Sequence, residues 1–186
     1  ATWNTGSHTQ SQIGPLVFNS GTQLNLNSPN CGSDHTSICV NNKIAVNQNI
    51  IFNDTDISGS GIIVSTGKII INQNSTVGGG VTFIANDIEI IDVSMGESSL
   101  FNSSSGPVII YIENGGLISN SNNISGLIIN NNSNNSSTLT INNSSINGAI
   151  LNYSSNFILS NNTSIVGSIV SNYLVAMDNS SSISSF

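Results

Sequence analysis

Two consecutive units in the C-terminal third of the chain carry apolar residues in the same slots. The first reads Gly148-Ala149-Ile150-Leu151, then Phe157-Ile158-Leu159, then Ser164-Ile165. The second reads Gly167-Ser168-Ile169-Val170, then Tyr173-Leu174-Val175, then Ser182-Ile183. Self-similarity at a period of about 20 residues marks stacked supersecondary units. Each unit is too short for two helices and too rich in β-branched residues to be one. The pattern predicts an all-β chain in which each unit is one coil of a parallel β-solenoid.

The same beats run upstream. They start at Ile38-Cys39-Val40, Ile44-Ala45-Val46 and Ile50-Ile51-Phe52, and later coils open at Gly61, Gly80, Gly106, Gly126, Gly148 and Gly167. These glycines are 19, 26, 20, 22 and 19 residues apart, the jitter that turn insertions produce when strands keep their register. Met95 to Ser105 is the one irregular insertion. A strict six-residue subrepeat is missing, which favours a right-handed β-helix with three short strands per coil. Inward positions are expected to form Ile/Val/Leu stacks and outward ones Ser/Asn/Thr rows, with Asn on Asn able to form amide ladders. Ile128, Ile150 and Ile169 are predicted to share one inward column. The solenoid body spans residues 38–186. A pilin-like β-sandwich completed by a donated N-terminal strand is the alternative architecture.

Residues 1–37 are read as a cap or a strand-exchange arm. Ile13, Leu16, Val17, Phe18, Leu24 and Leu26 form two short apolar patches between Gly, Pro, Asn and Ser, outside the repeat. A solenoid leaves an unpaired edge and an open core at each end, so atypical terminal segments are expected there. The repeat itself runs to Ile183, which predicts an open last coil.

Charge is scarce: no Arg, Lys43 and Lys68 only, and nine acidic residues, for a net charge of −7. So few cations leave no footprint for nucleic acid and nothing to attract an anionic membrane. No apolar run reaches 18 residues, so no membrane insertion is expected. Regularly placed Ile and Val argue against disorder. Near-neutrality at low pH, where carboxylates protonate, fits an acidic medium; an ordinary secreted Asn/Ser-rich chain is the blander reading. The start at Ala1-Thr2-Trp3 is expected of a mature end after signal removal or of a chosen boundary.

Cys31 and Cys39 lie eight apart in a Gly/Asp/Ser-rich loop, which predicts a local disulfide and an oxidising compartment. Closing so short a loop contributes roughly 2–3 kcal/mol. A metal site of Cys31, His35 and Cys39 is the sharper alternative. Thirteen Asn-x-Ser/Thr sequons are candidate N-glycosylation sites: Asn53, Asn74, Asn102, Asn123, Asn131, Asn134, Asn135, Asn142, Asn143, Asn152, Asn161, Asn162 and Asn179.

The run from Gly148 to Ile183, with its Gly-small-Ile-Val, strand, Asn/Ser-Ile coil, resembles β-solenoid ectodomains of type IV pilus-associated and other prokaryotic cell-surface proteins. The likeness covers residues 60–186. The sequon-dense, charge-poor composition is also similar to archaeal surface-filament glycoproteins from hot acidic habitats, some of which join subunits through a donated N-terminal strand. These resemblances imply an extracellular, glycosylated subunit at the cell surface, assembling head to tail with copies of itself and serving adhesion. Surface glycans or other cells are then further partners. An adhesin or pilus-tip module, binding through its lateral sheet or the Met95–Ser105 insertion, is the alternative.

Catalytic signals are thin. Asp87, Glu89 and Asp92, with Lys68 one coil earlier, are the only candidates for the paired carboxylates of a polysaccharide-degrading β-helix. A surface ion pair is the simpler reading. Asp54 and Asp56 could hold Ca²⁺ with turn carbonyls. No Ser/His/Asp set assembles from His8 and His35, and no phosphate loop is present. No enzymatic activity and no cofactor are expected.

Overall fold

The computed structural model describes residues 16–18, 24–25, 38–40, 43–78, 80–96, 106–120, 122–132, 137–153, 156–172 and 175–185. Among them are eighteen strands and no helix, and the strand pairings are parallel. The chain is a β-solenoid of about seven turns, with coils about 19 residues apart. A pilin-like sandwich is thereby excluded, since such sandwiches pair their strands antiparallel.

Each turn has three straight faces. Face I contains Lys43–Val46, residues 62–65, 82–85, 108–112, 126–130, 148–152 and 167–171. Face II contains Leu16–Phe18, Ile50–Asn53, residues 69–72, 87–91 and 115–119, then Thr138–Asn142, Asn156–Ser160 and Val175–Met177. Face III contains Leu24–Asn25, Ile38–Cys39, Asp56–Ser58, Thr76–Val77, Ser94–Met95, residues 123–125, 145–147 and 164–166, and Ser182–Ser184.

Side chains alternate along a strand, and parallel in-register pairing makes each position a column. On face I the inward column runs Ile44, Ile63, Phe83, Ile110, Ile128, Ile150, Ile169. Ile128 and Ile150 are fully buried, and Ile169 packs half-buried against the core. Face III stacks Ile57, Val77, Met95, Ile124, Ile146 and Ile165 in the same way. Met95, placed in the insertion by the sequence pattern, is thus a core residue of the repeat, 1% exposed. Beyond Gly96 that insertion, residues 97–105, lies outside the described residues.

Two expectations change. Leu16–Phe18 does join the repeat: it pairs with Ile50–Phe52 of the same chain and supplies the first rung of face II. Phe18 stacks flat on Phe52 at 5.1 Å between ring centroids, and Phe52 meets Phe83 edge-on at 6.5 Å. Leu24–Asn25 likewise pairs with Ile38–Cys39. Ile13 and Leu26 fall outside the described residues. The outward rows also differ from expectation. Face III carries the polar row Asp56, Thr76, Ser94, Asn123, Ser145, Ser164, Ser182, but face I carries Val64, Ile84, Tyr111, Ile129, Leu151 and Val170 in a single outward column.

The opening glycines are not all equivalent. Gly126, Gly148 and Gly167 share one register slot, whereas Val108 fills it one rung earlier and Gly106 stands two residues ahead. A Cβ on Gly148 would lie 1.8 Å from the Gly126 carbonyl oxygen, at a φ of 155°. Two backbones therefore approach too closely there for any side chain. At Gly78 the nearest atoms would be 3.6 Å away, ordinary van der Waals contact. Gly148→Ala is expected to destabilise by more than about 2 kcal/mol, and Gly78→Ala to change stability by under about 1 kcal/mol. Urea unfolding of the two variants checks this; equal midpoints would mean the close approach is absent.

Candidate functional site

The one candidate for catalysis is an ion pair. Lys68 lies in register with Asp87, as the repeat predicts, but its ammonium binds the diagonal neighbour Glu89 instead. The two side chains are 36% and 25% exposed, so water screens them. Asp92 is turned away at a corner with φ 61°. The three carboxylates therefore do not converge. Asp54 also occupies a corner, and Asp56 points out from face III, where it accepts a hydrogen bond from the Thr76 hydroxyl. Among the described residues, no three His, Cys, Asp or Glu side chains come together as metal ligands. Cys39 is buried and disulfide-bonded; Cys31, His8 and His35 lie outside the described residues.

What the fold does assemble is columns. At the corner between faces II and III a left-handed residue recurs: Asp54, Gln73–Asn74, Asp92, Asn120, Asn143 and Asn161–Asn162 all have positive φ. Asn and Asp tolerate that conformation better than most residues. The slot after it holds a buried small polar side chain at Thr55, Ser75, Asn122, Ser144 and Thr163, and again at Ser181, with Val93 the apolar exception after Asp92. These side chains satisfy the backbone that the turn leaves unpaired. Ser75 Oγ donates to the Asn72 carbonyl at 2.6 Å, Asn122 Nδ2 to that of Ser119 at 2.6 Å, and Thr163 Oγ1 to that of Ser160 at 2.7 Å. Their oxygens accept from the neighbouring coil: Thr55 N–H donates to Ser75 Oγ at 3.1 Å and Val93 N–H to Asn122 Oδ1 at 2.8 Å. A second ladder stands between faces I and II, where Asn130 Nδ2 donates to Asn152 Oδ1 at 2.7 Å and Asn152 Nδ2 to Ser171 Oγ at 3.0 Å.

That second ladder bears on the sequons. Asn152 is fully buried with its amide engaged, so the folded chain has no room for a glycan there. Asn74, Asn143, Asn161, Asn162 and Asn179 are exposed along the corner between faces II and III. Asn123 is exposed on face III and Asn131 at the corner beyond face I. Asn53 and Asn142 are half-buried, and Asn102, Asn134 and Asn135 lie outside the described residues. The exposed sequons therefore lie off the strands of face I, with Asn131 alone at their edge, its amide donating to the Tyr111 hydroxyl.

The apolar outer surface of face I was missed by reading outward rows as polar, although the sequence carries its signal. Ile62-Ile63-Val64, Ile109-Ile110-Tyr111, Leu127-Ile128-Ile129 and Ala149-Ile150-Leu151 are apolar triplets. On a strand, the middle residue of such a triplet faces inward and both flanks face out.

In the last turn Asp178 closes the corner column. Its carboxylate accepts from Ser181 Oγ at 2.7 Å, from the Asn161 N–H at 2.6 Å, and from Ser180. These donors, the Ser181 hydroxyl foremost, hold the carboxyl at about 2, below its ordinary 3.8. A depressed folded-state pKa adds stability above the unfolded value and loses it as pH falls through the folded one. Asp178→Asn is therefore expected to melt at a lower temperature than the parent at pH 5, with the gap closing between about pH 4 and pH 2. Thermal melts across that range check it; a gap independent of pH would assign the difference to packing.

No protein-family model, curated protein or solved structure matches this chain.

Proposed function

We propose that this chain is a structural subunit of an extracellular cell-surface filament, in which copies stack head to tail and continue one another's solenoid. The observation that carries this reading is the in-register parallel rung, which repeats with the same three faces from coil to coil. Ile183 stands on Ile165 and Met177 on Leu159, and both lower residues are fully buried. Ile183 is 44% and Met177 50% exposed, so these apolar side chains are open to a further rung. Residues 167–171, 175–177 and 182–184 each pair on one side only among the described residues. At the other end Lys43–Val46, Leu16–Phe18 and Leu24–Asn25 do the same.

Each face is a parallel ladder, and main-chain hydrogen bonds add a further strand readily to a ladder of this kind. The contact is heterologous and does not close on itself, so it builds a fibre. With Leu16–Phe18 paired to Ile50–Phe52 within its own chain, this reading makes the joint a stack rather than a donated strand. Glycans on Asn74, Asn143, Asn161, Asn162 and Asn179 would line one corner of the fibre, and disulfide chemistry at Cys39 belongs to an oxidising exterior.

Electron microscopy of the concentrated chain is expected to show fibres one solenoid wide, with an axial repeat of about 4.8 Å in diffraction. Ile183→Asp places a charge in the joint, and should give folded particles and no fibres. Particles one solenoid long at every concentration, or unchanged fibres from Ile183→Asp, would refute the stack.

A further inference from the structure

We infer that face I is a self-association surface, on which a second copy of this chain packs sheet against sheet. The outward column Val64, Ile84, Tyr111, Ile129, Leu151, Val170 continues through six rungs without a polar residue, and the parallel outward column beside it is mostly apolar as well. Val170 is 55% exposed, and the inner members are half-buried.

Size points to a protein partner. Six rungs at about 4.8 Å by five residues at about 3.3 Å make a patch of roughly 450 Å². That is as large as the bare apolar patches monomers usually leave, and such patches tend to be functional. Two copies face to face cover on the order of 1,000 Å² in total, about the lower bound for a specific interface.

Chemistry selects the partner. Tyr111 is the one aromatic ring in the two outward columns, and its hydroxyl accepts from Asn131 Nδ2 at 2.6 Å, so no row of rings offers a platform for sugars. The nearest cation in these columns is Lys43 at the first rung, which gives an anionic membrane nothing to hold. A flat aliphatic ladder with a strand-spacing repeat is matched by another such ladder, as in paired sheets that interdigitate dry. From the second rung on, these columns carry no charged residue, so no like charges are buried against each other there. Of the exposed sequons only Asn131, whose amide donates to Tyr111, lies at the edge of these strands, so a glycan elsewhere does not obstruct the contact. This inference stands without the filament reading: it concerns the side of the solenoid, not its ends.

The test uses the full chain carrying Ile183→Asp, so that end stacking is suppressed and lateral pairing is read alone. Sedimentation equilibrium is expected to show a monomer–dimer equilibrium that stops at two copies. Ile129→Lys and Ile129→Glu should each remain monomeric with the parent's circular dichroism, and an equimolar mixture should recover the dimer. Ser145→Lys, on the polar face III, should dimerise like the parent. A monomer at all concentrations overturns the inference, as does a dimer that survives both Ile129 substitutions. Flotation of a monomeric chain with uncharged phosphatidylcholine vesicles, or its co-sedimentation with cellulose, assigns the face to lipid or glycan and overturns it too. If Ile129 variants lose the parent fold, Leu151→Lys and Leu151→Glu repeat the same mixing experiment elsewhere on the column.

Discussion

In-register parallel stacking is the constraint on which this molecule depends. It puts every residue above and below a counterpart about 4.8 Å away, so each position must tolerate its own kind as a neighbour. Aliphatic side chains do so by packing, as the Ile columns of faces I and III show. Asn, Ser and Thr do so because each is both donor and acceptor. Asn130 can therefore give to Asn152, which gives to Ser171. A carboxylate only accepts and an ammonium only donates, so neither can stack on itself, and like charges on adjacent strands repel. The charge-poor composition is thus explained by the fold itself, without appeal to an acidic medium. The exceptions obey the same logic: Lys68 sits diagonal to Glu89, and Asp178 is surrounded at its corner by the donors Ser181, Ser180 and the Asn161 N–H.

Columns also set where function can reside. A solenoid with three faces offers two kinds of surface: sides, whose character is uniform along the axis, and ends, where a rung lacks a partner. Face III is hydroxyl- and amide-rich, and the corner beside it carries most of the exposed sequons. Face I is aliphatic and without sequons that point outward from its strands. A single side chain contributes little to such surfaces, and repetition supplies the area. The proposed end stacking and side pairing would use different residues, Ile183 against Ile129, and each would reinforce the other by raising effective concentration along a fibre.

Much of the architecture is legible in the chain alone. Period, parallel stacking and the inward triplet centres Ile110, Ile128 and Ile150 follow from β-branched residues recurring at coil spacing, since no other short repeat buries them. The Asn ladder follows from amide chemistry. The apolar exterior of face I was also written in the triplets, because alternation forces their flanks outward. What only the tertiary structure decided is which residues share a rung where spacing breaks down. Leu16–Phe18 reaches Ile50–Phe52 across 34 residues, and Met95 holds its core slot at the mouth of the insertion. Val108, not Gly106, stands beneath Gly126, and Lys68 chooses Glu89 over the carboxylate directly beside it. Local pattern cannot determine these, because register across a variable turn is set by which stack closes the core with least void. That is a property of the neighbouring coils rather than of the segment itself.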